Sequence, residues 1–198
     1  DMRTFGIVST TVITACLIVA VWWTVSSHEL IAVGEVVINA IVLAYCLYIV
    51  TGREVNRIFL GRRIGDVFGA VVGYVFFNGV GCAIYSLFDY RSSWDLMLTE
   101  MVGAILMILV STYALRASPG RGLKSSWVVI LFLSIVSMVA VITNTDGSAL
   151  SNLMNVCEIC CSLVVLVYLL SAPVRGRFLA SSGSAYAGND GVAAPGKH

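Results

Sequence analysis

The chain has 198 residues, 59% of them apolar and only 12% charged, with a formal net charge of +1. Soluble domains sit nearer half apolar and a quarter charged. The balance therefore points to a polytopic membrane protein and gives a nucleic-acid partner no electrostatic footing.

Six apolar runs, near 5–26, 29–50, 67–88, 95–115, 127–144 and 152–172, are long enough to cross hydrocarbon as helices. Their apolar residues are continuous rather than alternating, which argues against outer-membrane strands. The first run follows Arg3. It is too long for a signal h-region and has no A-x-A-like site after it, so it reads as a retained span.

The second run opens with Ser26-Ser27-His28-Glu29-Leu30, contains Glu35 and Asn39, and closes with Tyr45-Cys46-Leu47. Ser26-x-x-Glu29 fits a capping box, with its acid at the positive end of the helix dipole. The 51–66 connection mixes Arg53, Arg57, Arg62 and Arg63 with Val55, Ile58, Phe59 and Leu60. It reads as a basic loop running into the third span, or as a short amphipathic helix on the inner membrane surface; anionic headgroups suit either.

The third run is glycine-rich. Gly61, Gly65, Gly69 and Gly73 fall four apart, Gly81 keeps the register, and Asn78 is polar at mid-depth. Such a small-xxx-small ridge lets another backbone approach closely, within the chain or from a neighbouring subunit. The fourth run opens with Ser92-Ser93-Trp94-Asp95-Leu96, carries Glu100 and closes with Tyr113-Ala114-Leu115. The fifth follows Arg116, Arg121 and Lys124 and ends in an Asp146-Gly147-Ser148 turn. The sixth, capped by Ser148 or Ser151, carries Asn155, Glu158 and Tyr168-Leu169-Leu170. Residues 1–175 form the six-helix membrane domain, and 176–198, poor in apolar residues from about Ser181, read as a disordered cytoplasmic tail.

Lys and Arg cluster before the first span, after the second, after the fourth and after the sixth. The opposite connections hold Arg91 alone against Glu29, Asp89, Asp95 and Asp146. The positive-inside rule then places both termini in the cytoplasm. Short outer connections make antiparallel neighbours, so the expected fold is all-α, with six transmembrane helices as three antiparallel hairpins. The Ser-Ser-x-acid-Leu openings, the inset Glu and the closing Tyr-x-Leu suggest one hairpin used three times, with drift.

Glu35, Glu100 and Glu158 each lie seven or eight residues past a capping Ser, roughly 10–12 Å below the helix starts at about 1.5 Å per residue. A carboxylate in mid-span costs about 2.5–3.5 kcal/mol on insertion scales. Asn39 and Asn155 share a helix face with their Glu. No span contains Lys or Arg to neutralise them. Three readings stand side by side: a ring of acids that selects or relays cations or protons, protonated or water-bridged acids that hold neighbouring helices together, and solvated acids near the outer interface.

The six cysteines lie within apolar runs, and Cys157-x-x-Cys160 has no His nearby. They read as small buried hydrophobes rather than a disulfide framework or a metal site. Trp22, Trp23, Trp94 and Trp127, with Tyr45, Tyr90, Tyr113 and Tyr168, fit an aromatic belt at the span ends. His28 reads as a solvated loop residue rather than a pH sensor. No catalytic constellation, phosphate loop or cofactor motif is present, so neither an enzyme nor a cofactor is expected.

The sequence thus predicts a small-cation or proton channel or transporter. Glu35, Glu100 and Glu158 would form the pathway, Asn39, Asn78 and Asn155 would be its polar partners, and Gly65, Gly69 and Gly73 would pack the helices. The alternative is a non-transporting accessory or structural subunit that packs laterally in a homo-oligomer or larger membrane complex. A receptor for a small lipid-soluble molecule is a third reading. The lipid bilayer is the partner common to all.

Overall fold

The computed structural model describes residues 1–51, 66–88, 94–117, 123–143 and 149–179. They form α1 (Met2–Ser27), α2 (Leu30–Val50), α3 (Val67–Tyr85), α4 (Trp94–Arg116), α5 (Lys124–Thr143), α6 (Ala149–Leu170) and α7 (Ala172–Leu179), with no strand among them. The first six are each long and apolar enough to cross a bilayer. This is the architecture of a polytopic helical membrane protein.

The helix ends follow local chemistry that differs in part from the expected caps. At the turn between α1 and α2, His28 adopts the left-handed conformation (φ 56, ψ 24) and its N–H donates to the Thr24 carbonyl at 3.1 Å. That conformation ends one helix and lets the next begin almost at once. The Ser26–Glu29 capping box therefore does not form. Ser26 is still inside α1, and Glu29 is an N-cap whose side chain makes no capping bond. Ser27 takes over part of the role, its hydroxyl accepting the Glu29 N–H at 3.3 Å. Ser151 likewise lies inside α6, buried, and does not cap it. Ser92, Ser93, Ser148, Gly61, Gly65 and the basic residues of 52–65 lie outside the described residues. At the start of α3, the Asp66 carboxylate caps by accepting the Gly69 N–H at 3.0 Å.

Each helix packs on the next, and α6 returns to α1, so the six spans close a ring. Specific contacts fix the register. A Cβ on Gly6 of α1 would meet Ile49 of α2 at 2.9 Å. Gly73 and Gly81 of α3 face Tyr45 and Ile38 of α2, which makes α2 and α3 antiparallel. Phe5 stacks edge-on against Tyr168 at 4.8 Å, and Cys16 meets Cys161, which makes α1 and α6 antiparallel too. The glycine ridge of α3 is thus used within the chain. Gly73 makes room for the Tyr45 ring, whose hydroxyl donates to the carbonyls of Gly69 and Ala70 at 3.2 and 3.1 Å.

Tyr45 corrects an expectation. It is 3% exposed and holds two helices together rather than sitting in an interfacial belt. Tyr113, 53% exposed, and Trp22, 58% exposed, remain where a belt residue belongs.

After α6, Ser171 breaks the helix and Pro173 stands in the first turn of α7, where its missing N–H is tolerated. Without that N–H, the Leu169 carbonyl four residues back has no helical donor. The indole N–H of Trp127 on α5 supplies one at 3.1 Å. α7 then turns Val174 and Phe178 into the bundle, and Phe178 stacks edge-on against Phe68 at 4.8 Å. α7 runs past residue 175, where the sequence places the end of the membrane domain, and stops at Leu179; residues 180–198 lie outside the described residues.

Candidate functional site

A cavity of about 420 Å³ opens inside the ring. Its lining comes from Ile31 to Val42 on α2, Tyr74 to Tyr85 on α3, Thr99 to Met107 on α4, Leu133 to Val141 on α5 and Ser151 to Val165 on α6, with Ile13 and Trp23 from α1. These segments lie mainly towards the end of the bundle that carries the α1–α2 turn. The half nearer the termini is filled by packed rings and aliphatic side chains: Phe5 against Tyr74 and Tyr168, Tyr45 against Phe77, and Phe68 against Phe178. The cavity is therefore one-ended.

Glu35, Glu100 and Glu158 all line this cavity, and so do Asn39, Asn78 and Asn155. Helical spacing explains the first pairing. Asn39 is one turn after Glu35 on the same face of α2, and its carboxamide N–H donates to the Glu35 carbonyl at 2.8 Å. Both are largely withdrawn from solvent, at 8% and 6% exposed. The carboxyls of Glu35 and Glu158 come within hydrogen-bonding reach of one another across the α2–α6 gap, and Glu100 lies close enough to Glu35 to interact with it electrostatically. A hydrogen bond between two carboxyl groups requires a proton on one of them.

The three acids do not start from equal depths along their helices. Glu35, Glu100 and Glu158 are five, six and nine residues past the first residues of α2, α4 and α6, or roughly 7.5, 9 and 13.5 Å. The difference from the even 10–12 Å expected reflects where the helices begin. α6 starts before Ser151, and α2 starts after Ser26 and Ser27.

No protein-family model, curated protein or solved structure matches the chain. The chemistry of the site is therefore what bears on function.

Among the described residues, no Lys or Arg lines the cavity. Its walls alternate carboxyl, carboxamide and hydroxyl groups with apolar surface. Among the described residues no three acid, Cys or His side chains are grouped closely enough to hold a metal ion together. The arrangement suits a proton, a hydrated ion or an organic cation better than a bare ion coordinated by all three acids at 2–2.6 Å.

Several lining residues were not legible in the sequence. Trp23 reads there as a belt residue, yet it lines the cavity. Ser134, Ser137 and Ser162 also line it. Serines inside apolar helices are common because their hydroxyls bond the preceding turn, as Ser134 does to Ile130 at 2.8 Å. Only their neighbours in space show that they add to a polar wall. Gly69 and Gly73, expected to pack helices, do so against Tyr45.

Proposed function

We propose that this protein moves a small cation, or protons, across the membrane through the one-ended cavity. The observation that carries the proposal is the convergence of three carboxyls and three carboxamides, from four different helices, on one cavity with no basic side chain among the described residues of its lining. Burying acids inside a membrane bundle is costly. Three of them turned into one interior space are accounted for by a positively charged occupant.

Glu35 and Glu158 would share a proton when the site is empty of cation and release it when a cation binds. Glu100 adds the third negative group, and Asn39, Asn78 and Asn155 replace part of the hydration shell. The packed half near the termini favours a carrier over a standing pore, because cargo that enters from the cavity end meets Phe5, Tyr74 and Tyr168 before the far side. The orientation proposed is both termini cytoplasmic. Arg3, Arg116, Lys124, Arg175 and Arg177 are all exposed at or near the end opposite the α1–α2 turn. The cavity would then open away from the cytoplasm.

Flux of protons and of small monovalent cations into proteoliposomes tests the proposal. The variant Glu35→Gln, Glu100→Gln, Glu158→Gln keeps side-chain shape and removes charge. It should lose flux while keeping helical content and a monodisperse elution profile. Wild-type flux in that folded variant would overturn the proposal.

The accessory-subunit reading has less support, because Gly73, Gly79 and Gly81 of α3 face Tyr45, Met107 and Ile38 of the same chain. A surface for lateral association would lie on the apolar outer faces of the ring, where Ile18, Leu109, Phe132 and Val167 are well exposed. The native mass of gently solubilised protein measures it.

A further inference from the structure

We infer that Cys16 and Cys161 form an oxidation site, a thiol pair that small-molecule disulfides convert into a covalent bridge between α1 and α6. Their Sγ atoms are 3.5 Å apart. Cys16 is fully buried and also comes within reach of Cys157, one turn before Cys161, so it sits between two thiols of the facing helix. Every other junction in the ring joins helices consecutive in sequence. The α1–α6 seam alone joins the first span to the last, and it is where these three thiols meet, with Ala20 and Met154 packed beside them. A disulfide needs about 2.05 Å between sulfurs, roughly 1.5 Å less than the present gap. Packed helices shift by about that much in ordinary switching motions.

Access is also built in. Cys161 lines the cavity, whereas Cys16 lies behind it. Cys82 also lines the cavity, across from α6, but of the two thiols of the pair it is Cys161 that a disulfide reagent R–S–S–R entering the cavity meets. The Cys161 sulfur attacks one sulfur of the reagent, forming the mixed disulfide Cys161–S–S–R and releasing the first R–SH. Cys16 then attacks the Cys161 sulfur and releases the second R–SH. The two thiols are oxidised, the reagent is reduced, and the two thiol protons leave on the two R–SH molecules. The apolar surface around the pair excludes charged reagents, so the reaction is slow for a charged disulfide and faster for an uncharged one.

The consequence for the cavity rests on the function proposed above. Glu158 lies three residues before Cys161 and shares its helix face. A bridge at Cys161 fixes α6 against α1 and so fixes the helix that brings Glu158 to Glu35.

The test treats the full chain in nanodiscs with 4,4′-dithiodipyridine and maps the unreduced peptides by mass spectrometry. The expected product is one crosslinked pair, Cys16 to Cys161, reversed by dithiothreitol. Cys16→Ser should instead trap the pyridylthio adduct on Cys161, and Cys161→Ser should abolish this bridge. A stable adduct on Cys161 with no bridge in the wild-type chain would overturn the inference, as would bridges that run mainly to Cys157 or Cys160. In proteoliposomes the oxidised protein should lose cation flux and regain it on reduction. Unchanged flux at complete crosslinking would overturn the lock. A bridge that forms in a protein with no flux in either state would overturn the transport reading and leave the oxidation site standing.

Discussion

The contact between Gly73 and Tyr45 shows what single side chains settle in this bundle. A Cβ at Gly73 would collide with the Tyr45 hydroxyl and lie 2.6 Å from its Cζ, so one added methyl displaces a ring held by two carbonyls. Gly73→Ala should destabilise by about 1–3 kcal/mol, the usual range for overpacking. Tyr45→Phe should cost less, about 0.5–1.5 kcal/mol, because the carbonyls it leaves keep their helical donors. The two changes share one contact, so the double variant should be more stable than the sum of the single effects predicts. Unfolding midpoints in detergent measure all three, and strict additivity would sink the account. Gly103 gives the contrast. Nothing lies within 4 Å of a Cβ built there, so Gly103→Ala should be neutral or gain up to about 1 kcal/mol from helix propensity. Spacing alone marks Gly73 as a packing glycine. It does not show that the partner is Tyr45, because a tyrosine near a span end has the same sequence signature whether it faces headgroups or a glycine.

At the scale of elements, α7 was the hardest to foresee and its anchoring is the most specific. Eight residues with two Arg, a Gly and a Pro give little apolar signal, and the segment runs into a polar tail. Its docking depends on Val174 and Phe178 falling four apart and on Trp127 reaching the Leu169 carbonyl, and neither partner is visible in the linear pattern. The bond arises because Pro173 leaves that carbonyl without a donor. Trp127→Phe should therefore cost about 1–3 kcal/mol, the range for a buried polar group left unsatisfied. In a Pro173→Ala background the cost should shrink, because the restored amide donates to Leu169 itself. An equal cost in both backgrounds would remove the explanation. Packing rather than charge should hold α7 in place. The Arg177–Asp66 pair is 3.8 Å apart and about two-fifths exposed on each side, so Arg177→Ala should cost at most about 1 kcal/mol after solvent screening. Phe178 is 1% exposed against Phe68, and Phe178→Ala should cost about 3–5 kcal/mol. Hydrogen exchange should show α7 amides released by the second change and barely altered by the first.

For the whole molecule, the number of spans was legible in the sequence, whereas the inward turn of the acids was one of three readings that the sequence left open. Apolar runs of membrane length and carboxylates without a cation in the same span allow few arrangements. The closing of the ring was not legible. Which helix returns to α1 depends on long-range packing, and the meeting of Cys16 with Cys161 follows from that return. The one-ended shape was hidden for the same reason: Tyr168 reads as interfacial until it is seen stacked against Phe5, which also meets Tyr74. The shape and the charge of the cavity make a joint prediction that does not require transport. Thr99 lines the cavity and is exposed, whereas Ser111 lies on the same helix, fully buried towards the packed end. In intact cells a cationic methanethiosulfonate reagent should modify Thr99→Cys and leave Ser111→Cys untouched. A cavity walled by acids concentrates cations and repels anions, an effect worth roughly 10- to 1000-fold in rate. The cationic reagent should therefore outpace an anionic one of similar size at Thr99→Cys by at least about tenfold, and Glu35→Gln, Glu100→Gln and Glu158→Gln together should collapse that ratio. Equal rates for the two reagents in the parent would mean that the acids do not set the field inside the ring. Modification only after the membrane is permeabilised would reverse the orientation and place the cavity mouth in the cytoplasm.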